Sequence, residues 1–343
     1  TSATIGIALI GIGKALGFDT GIVAGAVISG AYFGDKMSPL SDTTNLAAAV
    51  SGSDIFEHIK YMSVTTVPTI CIALIFFVIY NFINLPNEQL NNVDYIESIN
   101  DYFFISPILF IVPLVVIFMI YKKINPIVSL FIGTIISAVF SLIFQSQLFS
   151  NIILENSSSE LTSYKIVMDS IVAETNIKTN SIFLDELLTS GGMSGMLNTI
   201  WLVICAMIFG GVMEAIGALR SISLALLSIA KSTLSLFAST ILSCITVNIT
   251  ASDQYLSIVI PGKMFSDSYD NRKLSRLNLS RTIEDSGTVT SVLIPWNTCG
   301  AYQSSILNVG VFDYFIYAIF NWLSPITTLI VASLNYKIKR TVN

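Results

Sequence analysis

The sequence predicts an all-α polytopic membrane protein with inverted repeats, discontinuous helices and a re-entrant hairpin. Three observations carry that expectation. Hydrophobic residues make up 53% of the chain and charged residues 11%, against roughly 25% charged in a soluble domain. Uncharged stretches recur at 61–87, 102–121, 124–154, 187–213, 232–252, 286–312 and 314–336, long enough for the ~20 apolar residues a spanning helix needs. Pro, Gly and small hydroxyl residues interrupt apolar sequence at 34–45 and 284–300, the pattern of a membrane helix broken at mid-depth.

The long runs exclude a β-barrel, whose strands would show weak alternation instead. In lipid only helices then satisfy the backbone. The net charge of −5 comes without a basic patch interleaved with aromatics, so nucleic acid is not an expected partner and membrane lipid is. Cys71, Cys205, Cys244 and Cys299 lie in apolar segments without CxxC spacing and read as small core residues.

Loop charge sets the expected orientation. The segment 81–101 carries Glu88, Asp94, Glu97 and Asp101 and no Lys or Arg, and 149–193 carries six acidic residues with only Lys165 and Lys178. Lys122-Lys123, Arg220, Lys231, the stretch Arg272-Lys273 to Arg276 and Arg281, and the tail Lys337 to Arg340 are basic. The positive-inside rule places these basic segments, and so the C-terminus, in the cytoplasm of a multi-pass protein of the cell (inner) membrane. The loop 149–193 is expected to be partly disordered with a surface helix.

The two breaks resemble each other. Ser38-Pro39-Leu40-Ser41-Asp42-Thr43-Thr44-Asn45 aligns with Ser291-Val292-Leu293-Ile294-Pro295-Trp296-Asn297-Thr298; upstream Gly13-Lys14 aligns with Gly262-Lys263, and downstream Pro68 with Pro325. Loop charge runs the two copies in opposite directions, the inverted arrangement of a secondary transporter. The expected organisation is 1–85 as the C-terminal part of the first repeat, 86–148 as connecting helices, 149–193 as an extracytoplasmic loop and 194–343 as the second repeat. Thr1 aligns near Thr250, so the opening helices of the first repeat, roughly a hundred residues, are expected to be missing. Residues 232–265 bend at Asn248–Asp253 between Lys231 and Lys263, which predicts a re-entrant hairpin or a tight helix pair.

Gly30-Ala-Tyr-Phe-Gly-Asp-Lys-Met-Ser-Pro-Leu-Ser-Asp-Thr-Thr-Asn-Leu46 resembles the NhaC-type sodium/proton antiporter family. Leu279-Ser-Arg-Thr-Ile-Glu-Asp-Ser-Gly-Thr-Val-Thr-Ser291, Pro295-Trp-Asn-Thr-Cys-Gly-Ala301, Phe209-Gly-Gly-Val-Met-Glu214 and Asp253-Gln-Tyr-Leu-Ser-Ile-Val-Ile-Pro-Gly262 are similar to other blocks of that family. The resemblance covers nearly the whole chain. It implies secondary active exchange of Na+ for H+ by alternating access, inverted repeats, re-entrant hairpins and a homodimer. Relatives that exchange malate or lactate make a carboxylate exchanger coupled to Na+ or H+ the alternative. No resident cofactor is implied; Na+ and H+ are cargo.

Cation–proton exchange needs a group that binds either partner but not both. A carboxylate at membrane depth suits this, because desolvation disfavours its bare charge. Sodium, a hard cation, wants oxygen ligands, and broken helices supply them. Asp42 is the leading candidate. It sits in Ser41-Asp42-Thr43-Thr44-Asn45, where all five side chains bear oxygen, and capping of the following half-helix is the structural alternative. Asn297 and Thr298 should face Asp42 across the pseudo-two-fold axis, or else repair the break at Pro295. Sodium is thus placed at Asp42, Thr43, Asn45 and Thr298. Asp253, with Asn248 nearby, is a second carboxylate or a cap. Glu284 and Asp285 follow Arg281, which would keep one of them charged and let the other titrate; a cytoplasmic-end salt bridge is the alternative.

Asp35 and Lys36 are expected to form an internal structural pair. Glu214, before Arg220, reads as interfacial, with a proton entrance as the alternative. His58, beside Glu57 and Lys60, reads as a solvated interfacial histidine. Trp296 is packing beside the break, or a substrate contact in a carboxylate exchanger. Gly6, Gly11, Gly13, Gly17, Gly21, Gly25 and Gly30 permit close helix contact. No HExxH, GxSxG or Cys/His nucleophile arrangement is present, which argues against an enzyme; inverted broken helices suit a carrier better than a channel.

Overall fold

The computed structural model describes residues 2–84, 99–156 without 101 and 123, 162–175 and 191–341, with isolated positions between 177 and 189. Glu88, Asp94, Glu97, Asp101, Lys123, Lys178 and the serines of the 157–159 patch lie outside the described residues. The described chain is helical, with an isolated β-bridge between Leu274 and Arg340. Among the described residues, four helices are long and apolar enough to cross a membrane: Ile55–Ile83, Ile127–Phe144, Gly192–Ala215 and Thr233–Thr250. Pro107–Tyr121, Ala218–Ser228 and Ile319–Ser333 are shorter apolar helices. The chain is an all-α, multi-pass membrane protein.

It divides into two units, residues 1–88 with 198–343, and residues 89–197. In the second unit Ile111–Tyr121 packs against Pro126–Phe144, and a Cβ at Gly133 would meet Val116 at 2.6 Å. Ser163–Val172 supplies a helix within the 149–193 loop.

The first unit holds α1 (Ile7–Ala15), α2 (Thr20–Lys36), α3 (Asp42–Ser51), α4 (Ile55–Ile83), α5 (Leu197–Ala215), α6 (Ala218–Ser228), α7 (Thr233–Thr250), α8 (Gln254–Asn271), α9 (Arg276–Ile283), α10 (Thr298–Leu307), α11 (Val311–Phe315) and α12 (Ile319–Ser333). A π-helical turn, Glu284–Thr288, and a 3₁₀ turn, Ser291–Leu293, lie between α9 and α10. The start signals are local. Asp19, Ser41, Asp54, Ser232, Asp253, Ser275 and Asn297 each cap a helix by accepting from a backbone N–H one to three residues into it, as short oxygen-bearing side chains at that position do. Gly52 closes α3 at φ 71°, a left-handed conformation that favours glycine.

The glycines of α2 let it approach its neighbours closely. A Cβ at Gly21 would lie 2.5 Å from the Asp313 carbonyl oxygen, and one at Gly25 would lie 2.5 Å from the Tyr317 carbonyl carbon. Val27, Ile28 and Tyr32 of α2 thereby pack with Val289, Val292, Tyr314 and Phe320 in one core. A second core joins Ala47 of α3 to Phe237, Ile258, Phe265, Tyr269 and Ile283. The functional groups lie where α2, α3, α4, α9 and α12 converge on the π-turn.

Helix is interrupted at both places, at 37–41 and at 294–297, and in the second the preceding residues 284–293 run as π-helical, α-helical and 3₁₀ turns. The α7–α8 segment is a tight helix pair that turns at 251–253, with Ser252 at φ 57°.

Candidate functional site

Broken helices release carbonyls, and a buried carbonyl without a donor is costly. Polar side chains repair them here. Asn45 Nδ2 donates to the Pro39 and Ser41 carbonyls at 2.8 and 2.6 Å. At the second break Asn248 Nδ2 donates to the Gly287 carbonyl at 2.7 Å, Gln254 Nε2 to Thr288 at 3.1 Å, Asn321 Nδ2 to Val289 at 2.9 Å, and the Tyr314 hydroxyl to Val292 at 2.8 Å. Four elements thus hold one non-α segment in place.

The π-turn presents two consecutive carboxylates, both fully buried, with opposite surroundings. Asp285 is saturated. Its Oδ1 forms an ion pair with Lys36 Nζ and accepts from Ser324 Oγ at 3.4 Å. Its Oδ2 accepts from Thr65 Oγ1 at 2.8 Å and Thr328 Oγ1 at 2.5 Å. A buried ion pair persists when hydrogen bonds satisfy the remaining lone pairs, and here α2, α4 and α12 supply them.

Glu284 is the reverse. Its Oε1 has only long contacts, 3.4 Å from Thr43 Oγ1 and 3.5 Å from Thr44 Oγ1, and its Oε2 has no hydrogen-bond partner. Those hydroxyls are oversubscribed. Thr43 Oγ1 also lies 3.3 Å from Asp35 Oδ2 and 3.0 Å from Ser41 Oγ, and Thr44 Oγ1 lies 3.3 Å from the Lys36 carbonyl. A hydroxyl has one proton, so this cluster holds more acceptor capacity than donors. A carboxylate in a buried, donor-poor site is costly as a bare charge, and a proton or a cation relieves that cost. Among the described residues no three His, Cys, Asp or Glu converge as a metal-ion cluster; the oxygen set at Glu284 is carboxylate plus hydroxyl, which suits an alkali cation.

Several expected contacts are corrected. Lys36 does not pair with its neighbour Asp35; the two side chains leave α2 in different directions, and Lys36, fully buried, reaches Asp285. Arg281 does not neutralise Glu284 or Asp285. It is fully buried, its guanidinium has no hydrogen-bond partner, and it stacks 4.4 Å from the Tyr61 ring centroid. His58 is not solvated; it is fully buried, and its Nδ1 pairs with Ser280 Oγ at 2.8 Å.

Asp42 is exposed at the first position of α3, which Ser41 caps. Its Oδ2 accepts from the Tyr255 hydroxyl at 2.5 Å. With Asp35, Thr43 and Gln303 it lines a cavity of about 300 Å³, and Thr43 links that cavity to Glu284. Asn45 is spent on backbone repair. Asn297 caps α10 and donates to Asn248 Oδ1 at 3.2 Å, while Thr298 Oγ1 contacts Asn297 at 3.5 Å. Asp253 caps α8 through the Leu256 N–H at 2.8 Å. Glu214 is exposed near the end of α5. Trp296 Nε1 donates to the Ile249 carbonyl at 2.8 Å. All four cysteines are free, but the core reading holds for Cys244 alone: Cys299 is half-buried, and Cys71 and Cys205 are exposed on apolar helices.

The profile of the Na+/H+ antiporter family matches residues 30–335. The chain belongs to that family. The Na+/H+ antiporter NhaC of Alkalihalophilus pseudofirmus is 36% identical over 330 residues, covering 96% of this chain and 68% of the relative. NhaC of Bacillus subtilis is 34% identical over 333 residues, covering 96% and 70%. The malate-2H+/Na+-lactate antiporter of Bacillus subtilis is 34% identical over 326 residues, covering 94% and 66%. No solved structure matches the chain. The long blocks at 30–46 and 279–301, around the two breaks, lie inside the family match.

The sequence signals located the site's parts but not their pairing. Thr65, Ser324 and Thr328, which serve Asp285, belong to neither break motif. Each is a hydroxyl in an apolar helix, and Thr65 and Thr328 lie near Pro68 and Pro325, the only local hint.

Proposed function

We propose that the chain exchanges Na+ for H+ across the cell membrane by alternating access, with Glu284 as the shared proton and cation ligand. The observation that carries this reading is the buried Glu284 carboxylate with one oxygen unpartnered and the other barely served. Thr43 and Thr44 Oγ1 are the neighbouring neutral ligands, with Asp35 beyond them. Proton and sodium cannot both take the same lone pairs, so exchange follows from competition. Asp285, held by Lys36, Thr65, Thr328 and Ser324, fixes the π-turn and keeps Lys36 from neutralising its neighbour.

Family membership and the names of the relatives support the reading. The adjacency of two segments that loop charge places on one side supports a cytoplasmic C-terminus: the Tyr61 hydroxyl, near the start of α4, donates to the Lys337 carbonyl at 2.8 Å. The inverted arrangement, the domain limits 1–85, 86–148, 149–193 and 194–343, and a homodimer belong to the same proposal.

The relative named as a malate-2H+/Na+-lactate antiporter motivates a second reading, carboxylate exchange at the same site. An organic anion needs an available cation, and Lys36 is engaged by Asp285, so we favour the inorganic cargo. Sealed vesicles with an internal pH dye decide. Collapse of an imposed pH gradient by Na+ alone, lost in Glu284→Gln, supports Na+/H+ exchange. A response only to lactate or malate would replace it with the second reading.

A further inference from the structure

Away from the oxygen cluster, the first turns of α4 and the residues after α12 enclose a cavity of about 580 Å³ lined by Glu57, Lys60, Tyr61, Lys337 and Lys339. Its charge is lopsided, with three ammonium groups against one carboxylate. Among the described residues no ion pair engages Lys60, Lys337 or Lys339. Lys339 Nζ lies 5.2 Å from the Tyr61 ring centroid. Arg281 stacks on the same ring from within the fold, fully buried and without a hydrogen-bond partner for any guanidinium nitrogen. A buried cation without an anion is unfavourable, and it adds to the positive field around Tyr61.

The backbone of the tail that carries Lys337 and Lys339 is also held in place. The Tyr61 hydroxyl donates to the Lys337 carbonyl at 2.8 Å, Asn278 Nδ2 to the Lys339 carbonyl at 2.6 Å, and the Ser275 N–H to the same carbonyl at 3.0 Å. The Thr341 N–H donates to the Lys273 carbonyl at 3.0 Å. The tail is thus bonded to α4 and to the α8–α9 turn. A backbone fixed in advance loses less freedom on binding than a mobile tail would, leaving only the lysine side chains to be ordered. Phe56, Leu334 and Tyr336, at the same ends of α4 and α12, are exposed, so apolar surface adjoins the basic cavity.

The geometry points to a binding site for a phosphate-bearing anion in this cavity, clamped by Lys60, Lys337 and Lys339. Basic pockets at helix ends select lipid headgroups in this way, and the adjoining apolar surface suits an anionic phospholipid. Inorganic phosphate carries the same chemistry. The site is separate from Glu284, and its test reads binding rather than transport, so it stands or falls independently of the exchange reading.

The test uses the purified protein in a neutral detergent, with phosphatidylglycerol, phosphatidylcholine and inorganic phosphate as probes and native mass spectrometry as the readout. Retention of phosphatidylglycerol over phosphatidylcholine is expected, with at least tenfold weaker binding in Lys60→Gln/Lys337→Gln/Lys339→Gln. Lys122→Gln/Lys231→Gln/Lys263→Gln removes the same charge elsewhere and should leave binding unchanged. Binding of inorganic phosphate without the lipid, with the same dependence on the three lysines, supports the site and assigns its ligand to the solution. Equal loss in both triple variants, no loss in either, or no binding of any anionic probe overturns it. A thermal melt of each variant without ligand separates misfolding from loss of the site.

Discussion

Lys36 and Asp285 lie 249 residues apart in the chain and form a fully buried ion pair. It links the last turn of α2 to the π-turn. Removing either partner strands the other's charge in the interior, which destabilises by about 3–5 kcal/mol. Lys36→Met and Asp285→Asn should each lower the melting temperature in detergent. The double variant should be more stable than either single change. A double variant no better than the worse single would refute a mainly electrostatic role.

Glu284→Gln should behave differently. Glu284 has no ion-pair partner to strand, and a neutral amide of the same shape fits its surroundings. Normal folding by size-exclusion chromatography is expected, with loss of Na+-driven proton flux in vesicles. Retention of full flux in the folded variant would remove Glu284 from the exchange site.

Thr43 should separate affinity from turnover. Thr43→Val removes a cation ligand beside a charged group, an interaction worth about 1.5–3 kcal/mol, so half-saturation should need about tenfold more Na+ or beyond. Thr43→Ser should restore it. Equal effects of Val and Ser on the maximal rate, with unchanged half-saturation, would point to packing instead.

Asp42→Asn is predicted to be mild. Its side chain is exposed and accepts from Tyr255, and Asn keeps an acceptor oxygen there, a neutral bond that contributes about 0.5–1.5 kcal/mol. Vesicle flux should keep its maximal rate, with a change of only a few-fold in half-saturation. Abolished flux in a folded Asp42→Asn would return the central role to Asp42.

Glycine packing gives a stability contrast within one helix. Gly25→Ala places a Cβ 2.5 Å from the Tyr317 backbone and should cost about 1–3 kcal/mol. Gly30→Ala meets nothing within 4 Å and should gain up to about 1 kcal/mol in helix propensity. Thermal melts of the two variants check the contrast.

The sequence made the helices and the two breaks legible, because each is a local pattern: apolar length, Pro and Gly. Of the two capping alternatives it offered, Asp253 does cap its helix, while the cap of α3 is Ser41, one residue before Asp42. The site was legible as a set of residues but not as a set of partners. Lys36 reads as bound to adjacent Asp35 because adjacency is what a sequence displays, yet neighbours on a helix point apart. Arg281 reads as a counter-ion to Glu284 for the same reason, and its ring partner Tyr61 lies in another helix. Asp42 drew attention because its neighbours are all polar. Burial, which decides cost, depends on what packs over a side chain, and for Glu284 that is supplied by the elements around the π-turn, α3, α7, α8, α9 and α12.

Thr43 stands between Asp35 at the surface and Glu284 in the interior, with one hydroxyl proton for both. A single O–H bond cannot point two ways. When it serves Glu284, Asp35 goes without it, and Ser41 Oγ at 3.0 Å competes for the same bond. On the proposed exchange reading, a cation at Glu284 would free that bond, so the direction of the Thr43 hydroxyl would report to the surface cavity what the interior carboxylate holds.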